Sequence, residues 1–485
     1  MTDLSVSLPL KAKVAYGSGA AVYATKEAAY GMFVLLFYTQ VLGLSGTLAG
    51  AAIALGLIWD AVSDPLVGVL SDRLRSRWGR RHPLMFGALL PAGIGFIGLF
   101  SPPDAVVASQ WQLAAWLLFW SLWLRTFVTC FSIPHLALSA DLSGDYVERN
   151  QVMAMRMAFL FMTSLMVPAV GLFVIFKGSG DLDGRLVAHN YVIYGLGSCL
   201  LVMIVGAYCA MGSYPYRSQR DAQAEGLHTV SIKSLVGDIL QTAKNKNFRW
   251  VVGYEVMAMM SLSVVNGLNM IISTYFWEFT TTETSMLLAV PTFFAVIVVM
   301  SIITPLSKRF TKQQLIRFAV IVMIIDSVWL YPLLWSGFLP PVGDSIWYAL
   351  NFVQSMIFMG CMMLRAINAA TLVSDACNES ELETGKAQEG AFFSAMNLAN
   401  KMSTVFGPVY VGICLDLIGL QQGVLPENTS SSMDFGLIVA LLAGSVPPLF
   451  AGLYFIGKVR TGREDQADVQ RRLSAMRAEP IGSDY

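Results

Sequence analysis

Charge is what this sequence has little of. Only 13% of its 485 residues are Asp, Glu, Lys or Arg, against about 25% in ordinary soluble chains. Histidine occurs 4 times. The 6 cysteines, Cys130, Cys199, Cys209, Cys361, Cys377 and Cys414, are scattered and lie mostly inside apolar stretches. Without CxxC or CxxxH spacing they read as small buried hydrophobes, not metal ligands or disulfides. Lys+Arg (32) balance Asp+Glu (32), and no basic face with interleaved aromatics exists, which excludes nucleic acid as a partner. HExxH, nucleophile-elbow and Walker patterns are missing, so no enzyme is expected. Lys11 and Lys13 precede a first span too long and too polar for a signal peptide, and that span is expected to be retained.

What the chain has is hydrocarbon. Hydrophobic residues make up 55%, with a mean hydropathy of +0.59. They fall in blocks near the roughly 20 residues that cross about 30 Å of bilayer core. Twelve spans are expected: 14–41, 47–71, 84–101, 110–138, 152–176, 190–213, 250–277, 285–306, 315–336, 345–374, 388–418 and 434–457. Spans of this kind satisfy their backbone groups only as helices, and no ten-residue alternation suggests a barrel. The fold class is therefore an all-α polytopic membrane protein.

Lys and Arg set the orientation. The loop between spans 2 and 3 holds Arg73, Arg75, Arg77, Arg80 and Arg81. The stretch after span 6, the loop after span 8 (Lys308, Arg309, Lys312) and the tail are also basic, whereas opposite loops hold chiefly Lys177 and Arg185. Both termini are expected on the cytoplasmic side of the cell's inner (plasma) membrane. The polar stretch 214–247 divides the chain into a six-span half (1–213), a cytoplasmic linker and a second six-span half (248–457), followed by a cytoplasmic tail (458–485). A weak repeat supports this, since Gly68-Val-Leu-Ser-Asp72-Arg73 ends span 2 as Pro305-Leu-Ser-Lys308-Arg309 ends span 8. Repeats of this sort place a solute site near the midplane.

A charge in hydrocarbon costs at least about 2.5–3.5 kcal/mol, so each one inside a span needs a partner or a wet cavity. Asp60 and Asp64 in span 2 stand i, i+4, on one helix face. Two carboxylates that close repel unless a cation lies between them or one holds a proton. Either outcome suits coupling to Na⁺ or H⁺; the alternative is a pair solvated or bridged to loop arginines. Lys401 in span 11 could neutralise the aspartates, or snorkel to an interface. Arg125 and Ser132 in span 4 share a face, with Arg156 in span 5 and Arg365 in span 10. Such arginines grip planar anions, or form structural pairs with Glu27, Glu255 or Asp326. Lys26 and Glu27, adjacent in span 1, point about 100° apart and are expected to serve different surfaces. His135 reads as a neutral, satisfied histidine ahead of a proton relay.

Trp59-Asp60-Ala-Val-Ser63-Asp64-Pro65-Leu-Val-Gly68, followed by Arg75-Ser-Arg77-Trp78-Gly79-Arg80-Arg81, resembles the signature of the glycoside–pentoside–hexuronide:cation symporters, a branch of the major facilitator superfamily. Lys13-Val-Ala-Tyr16-Gly17, Ile133-Pro134-His135, Asp145-Tyr146-Val-Glu148-Arg149, and Glu383-Thr-Gly385-Lys386 followed by Glu389-Gly390 extend the resemblance over about residues 11–457. It implies a major facilitator fold of twelve helices, working as a monomer among membrane lipids, with a small-molecule substrate and a coupling cation but no cofactor. It implies cation ligands at Asp60, Asp64, Ser63 and Thr129, with Na⁺ possible at the two aspartates. Solute contacts are implied near Ser132, Arg125, Arg156, Asn397, Lys401, Glu27 and Trp59, and gating at Gly68, Asp72, Arg73, Gly79, Arg80 and Arg81. Three departures stand out. Ala24 and Ser132 replace aspartates of the melibiose-permease-like members, and Arg125 is added. A cavity poorer in carboxylates favours a sugar-like, anionic solute moved by alternating access. Resemblance to the vertebrate lysophospholipid symporters keeps an amphiphile as the alternative, with Phe293, Phe294, Met356, Phe358 and Met359 as apolar candidates.

Overall fold

The computed structural model describes residues 8–74, 76–142, 146–178, 183–216, 237, 241–385, 388–420, 424–459, 468–469 and 471–473. Most of the linker 214–247 and of the tail 458–485 lies outside the described residues, as do Arg75, Asp145 and Lys386.

Among the described residues every regular element is helical. Eleven helices are long and apolar enough to cross a membrane, here named α2 (Gly46–Arg73), α3 (His82–Phe100), α4 (Gln110–Ser139), α5 (Glu148–Ile175), α6 (Ala188–Tyr216), α7 (Lys246–Phe276), α8 (Thr281–Arg309), α9 (Lys312–Trp335), α10 (Ser345–Thr384), α11 (Glu389–Ile418) and α12 (Ser431–Lys458). The first span, α1, covers residues 10–41 in pieces: Leu10–Ser18, Ala20–Ala28, π-turns at Ala29–Phe33 and Phe37–Val41, and Val34–Leu36 between them. Its first break has a local cause. His135 of α4 donates from Nε2 to the Tyr16 carbonyl at 2.7 Å, and the two rings lie 4.6 Å apart. Gly19 N closes a tight turn on the same carbonyl at 3.1 Å. Gly19 permits this approach, because a Cβ there would meet His135 Nε2 at 2.7 Å and Cys209 Sγ at 2.5 Å. His135 is thus held as a structural donor.

α10 runs ten residues beyond the expected 374. The hydropathy signal stops where Asp375 and Glu379 begin, but the helix continues until Gly385 caps it at φ 70°. Proline sits inside α2, α3, α4, α5, α8 and α12 (Pro65, Pro91, Pro134, Pro168, Pro291 and Pro447 among them), where each removes one helical hydrogen bond.

The chain forms two compact units. One comprises residues 1–229, 266–289 and 408–437; the other comprises 230–265, 290–407 and 438–485. In the first unit, α3 packs on α4 and α6, and α2 on α4. At the end carrying the α1–α2 connection, α2 meets the last turns of α11 backbone to backbone. Any Cβ at Gly46, Gly50 or Gly412 would collide with the carbonyls of Gly412, Pro408 and Gly46 respectively. Asp416 of α11 caps α2 there, accepting from Gly46 N (2.7 Å), Thr47 N (2.8 Å) and Ser45 Oγ (2.7 Å). An N-terminus normally capped by its own chain neighbour is capped from another helix. Arg185, before α6, is buried and donates to Thr284 Oγ1 (3.1 Å) and the Phe279 carbonyl (2.5 Å).

In the second unit, Phe248, Tyr254, Ile316, Val320, Met323, Leu364, Phe392 and Leu449 form the core. Arg365 pairs with Glu255 at 3.1 Å, the structural alternative open for that arginine. α8 is the least covered of the eleven spans and exposes Phe293, Phe294 and Met300.

Candidate functional site

The site is built where α1, α2 and α4 meet. Asp60 of α2 is buried, and its Oδ2 accepts from two cations at once: Lys26 Nζ at 3.1 Å and Arg125 Nη1. Lys26 and Arg125 are almost fully buried, at 2% and 1% exposure. Lys26 also meets Glu27 Oε1 at 2.9 Å and lies over the Tyr23 ring, 4.8 Å from its centre. The Arg125 guanidinium stacks 4.1 Å from the centre of the Tyr30 ring. Two cations therefore stand against two carboxylates, so the group is electrically balanced from within. In a low-dielectric interior this balance decides whether such charges can be buried at all.

Local sequence explains the placement. Gly56, one turn before Asp60, leaves the space that the Arg125 side chain fills; a Cβ there would lie 2.8 Å from Arg125 Nε. The π-turn Ala29–Phe33 shifts the helical register directly after Lys26 and Glu27, and carries Tyr30 to the guanidinium.

Asp64, one turn on, is half-buried and accepts from Thr129 Oγ1 of α4 at 3.1 Å. Trp59 is partly exposed and donates from Nε1 to Thr126 Oγ1 at 2.8 Å. Ser63 is buried, its hydroxyl turned back to the Asp60 carbonyl at 3.5 Å, a weak contact. Ser132 Oγ and Arg156 Nε are buried polar atoms with no hydrogen-bond partner among the described residues. In the second unit, Asn397 is exposed on α11 and Lys401 is half-buried. Lys26 and Glu27 do differ in exposure, as their diverging Cβ vectors require, yet their charged ends meet. The flexible four-carbon stem of lysine spans the 100° between them.

The α2–α3 loop forms a second constellation. Gly79 has φ 85°, a conformation that favours glycine, in a turn closed by Gly79 N on the Ser76 carbonyl (2.9 Å). That turn aims Arg80 and Arg81 at Asp141, in the helical turn after α4, at 2.6 and 3.2 Å. Arg81 also reaches Asp72 (2.7 Å) and Ser71 Oγ (3.1 Å). Arg73 is exposed, and a Cβ added at Gly68 would lie 3.8 Å from Ile133, an ordinary contact distance. Removing Asp141 takes away the acceptor that Arg80 and Arg81 share and leaves Arg81 with Asp72 and Ser71. Asp141→Ala is expected to cost about 2 kcal/mol, read as a lower melting temperature and faster tryptic cleavage of the loop; unchanged melting and cleavage would leave the clamp without an energetic role.

Sequence reasoning missed Tyr30, Gly56, Asp141 and Asp416. Lys26 was visible as an intramembrane charge, but not its partner. Among the described residues no group of three or more His, Cys, Asp or Glu converges as a metal centre.

The family described as MFS/sugar transport protein matches residues 15–455. The chain belongs to that family. Over most of its length this sugar-transport-family chain is similar to two symporters of Escherichia coli K12. It is 24% identical to YagG, named for glycoside/cation symport, over 93% of this chain and 91% of that one. It is 24% identical to the inner membrane symporter YicJ over 90% and 88%. Local similarity is higher to symporter sll1374 of Synechocystis (35% over 150 residues) and to the sodium-dependent lysophosphatidylcholine symporter 1 of Gallus gallus (32% over 151 residues). Each of those two matches spans 28% of the relative's own length. Among solved structures, the nucleoside transporter NupG superposes with a TM-score of 0.61 at 14% identity, covering 92% of this chain and 99% of that one. The inward-open xylose transporter XylE from E. coli gives 0.54 at 17%, covering 95% and 97%. The protein is a multi-pass membrane transporter with the major facilitator fold.

Proposed function

We propose that this protein is a cation-coupled symporter of a sugar-like solute with an anionic group, resident in the inner membrane with both termini in the cytoplasm. Its working parts are two six-helix halves, residues 1–213 and 248–457, acting as a monomer. The observation that carries this reading is the run Asp60-Ala-Val-Ser63-Asp64 of α2 facing Thr129 and Arg125 of α4, which supplies carboxylate and hydroxyl oxygens beside buried cations. Oxygen ligands of this type suit a hard monovalent ion, and a carboxylate also accepts a proton. The glycoside/cation name of a full-length relative supports the same pairing of solute and ion. Ser132 Oγ and Arg156 Nε offer polar contacts to the solute, with Trp59, Glu27, Asn397 and Lys401 as further candidates.

Thermal unfolding of the purified protein across glycosides, hexuronates and lysophosphatidylcholine, with Na⁺ or choline at two pH values, tests the reading by mass action. Stabilisation by a hexuronate, enhanced by Na⁺ or by lower pH, supports it. Stabilisation by lysophosphatidylcholine alone replaces the solute with an amphiphile, the second reading that the local lysophosphatidylcholine symporter matches favour.

A further inference from the structure

We propose that Lys26 and Arg125 are built-in stand-ins for the coupling ion at Asp60: the protein neutralises this carboxylate itself, and Na⁺ is excluded from it while both side chains are in place. The proposal rests on the symport reading and refines it, since it withdraws one carboxylate of the α2 pair from direct ion coordination.

Three observations carry it. Both cations converge on the same oxygen, Asp60 Oδ2, and all three residues are almost fully buried. Each is held from a second side, Lys26 by Glu27 Oε1 and the Tyr23 ring, Arg125 by the Tyr30 ring, so neither arrives by chance of rotamer. The space for the guanidinium is provided by Gly56, at a position where any side chain would crowd Arg125 Nε. A sodium ion at Asp60 would bring a third positive charge against two fixed ones, and both would repel it strongly at low dielectric. The compensating charge that a coupling ion supplies to a buried carboxylate is already supplied by the chain, at Oδ2.

The converse follows. Removing one of the two cations leaves the group one negative charge in excess, and that charge recreates a requirement for an external cation. Lys26→Met and Arg125→Gln are therefore expected to gain a Na⁺-dependent rise in melting temperature of several degrees, measured against equal concentrations of choline chloride. The gain should vanish in Lys26→Met/Asp60→Asn, where the group is balanced again. Any Na⁺ response of the wild type should persist in that double variant. If one single variant fails to purify, the other gives the reading independently.

Single variants without a gained response would overturn the proposal. So would a wild-type Na⁺ response that the double variant abolishes, because Asp60 would then be an ion ligand in the native protein. Failure of the symport reading looks different: uptake by the wild type would be indifferent to Na⁺ and pH gradients, while the gained Na⁺ response of the single variants would remain.

Discussion

Asp60→Asn is expected to lose about 3–5 kcal/mol of stability, enough to remove most folded protein from a membrane preparation. The side chain keeps its size and loses its charge, so the effect isolates electrostatics. Lys26 and Arg125, exposed by only 2% and 1%, would be left with Glu27 as the sole acid of the group. Buried ion pairs add little net stability compared with an apolar replacement, but removing one partner strands the other in low dielectric. The restoring variant follows from the same charge balance. Asp60→Asn/Lys26→Met returns the group to one cation and one carboxylate, and most of the lost melting temperature should return with it. Yield of monodisperse protein and the unfolding midpoint, compared across wild type, both single variants and the double variant, give the coupling directly. An Asp60→Asn protein as stable as wild type would show that the α1–α2–α4 charges do not depend on one another.

The second large effect is expected at the seam between α2 and α11. Gly46, Gly50 and Gly412 bring two backbones together where no Cβ fits, and Asp416 ties the α2 N-terminus to α11. Gly412→Leu forces the seam apart. Overpacking costs about 1–3 kcal/mol, so the closed arrangement at this end loses roughly 5–150-fold in population. Uptake should fall by that factor. Solute binding should survive, since Asp60 lies 14 residues, or about 20 Å along the helix, from Gly46. Parallel binding and uptake measurements separate the two. Unchanged uptake would mean that the seam takes no part in the transport cycle. Asp416→Ala should act in the same direction but more weakly, by about 1 kcal/mol, the usual worth of an N-cap.

The membrane spans were legible because span length and hydropathy are local properties that the bilayer enforces. The α2 carboxylates were legible for a related reason, since a charge inside an apolar run signals its own cost. Partnership was not legible. Lys26, Asp60 and Arg125 are 34 and 65 residues apart, and only the packing of three helices brings them to one oxygen. Glycine showed the same limit: Gly56 and Gly412 look alike in a hydropathy profile, yet one accommodates a guanidinium and the other a neighbouring backbone. Asp416 reads as a charge near a span end, and its capping of a foreign helix is purely tertiary. The π-turns of α1 leave no trace in the hydrophobic pattern, which is why a single span 14–41 was expected where the helix is segmented.

The most direct measurement is uptake of a radiolabelled hexuronate into proteoliposomes holding the purified wild-type protein, with an inward gradient of Na⁺, of H⁺, or of neither. Accumulation above the external concentration, driven by one of the two gradients and collapsed by the matching ionophore, is the result expected of a cation-coupled symporter. Equilibration to the same level under all three conditions would contradict coupling and make the protein a facilitator.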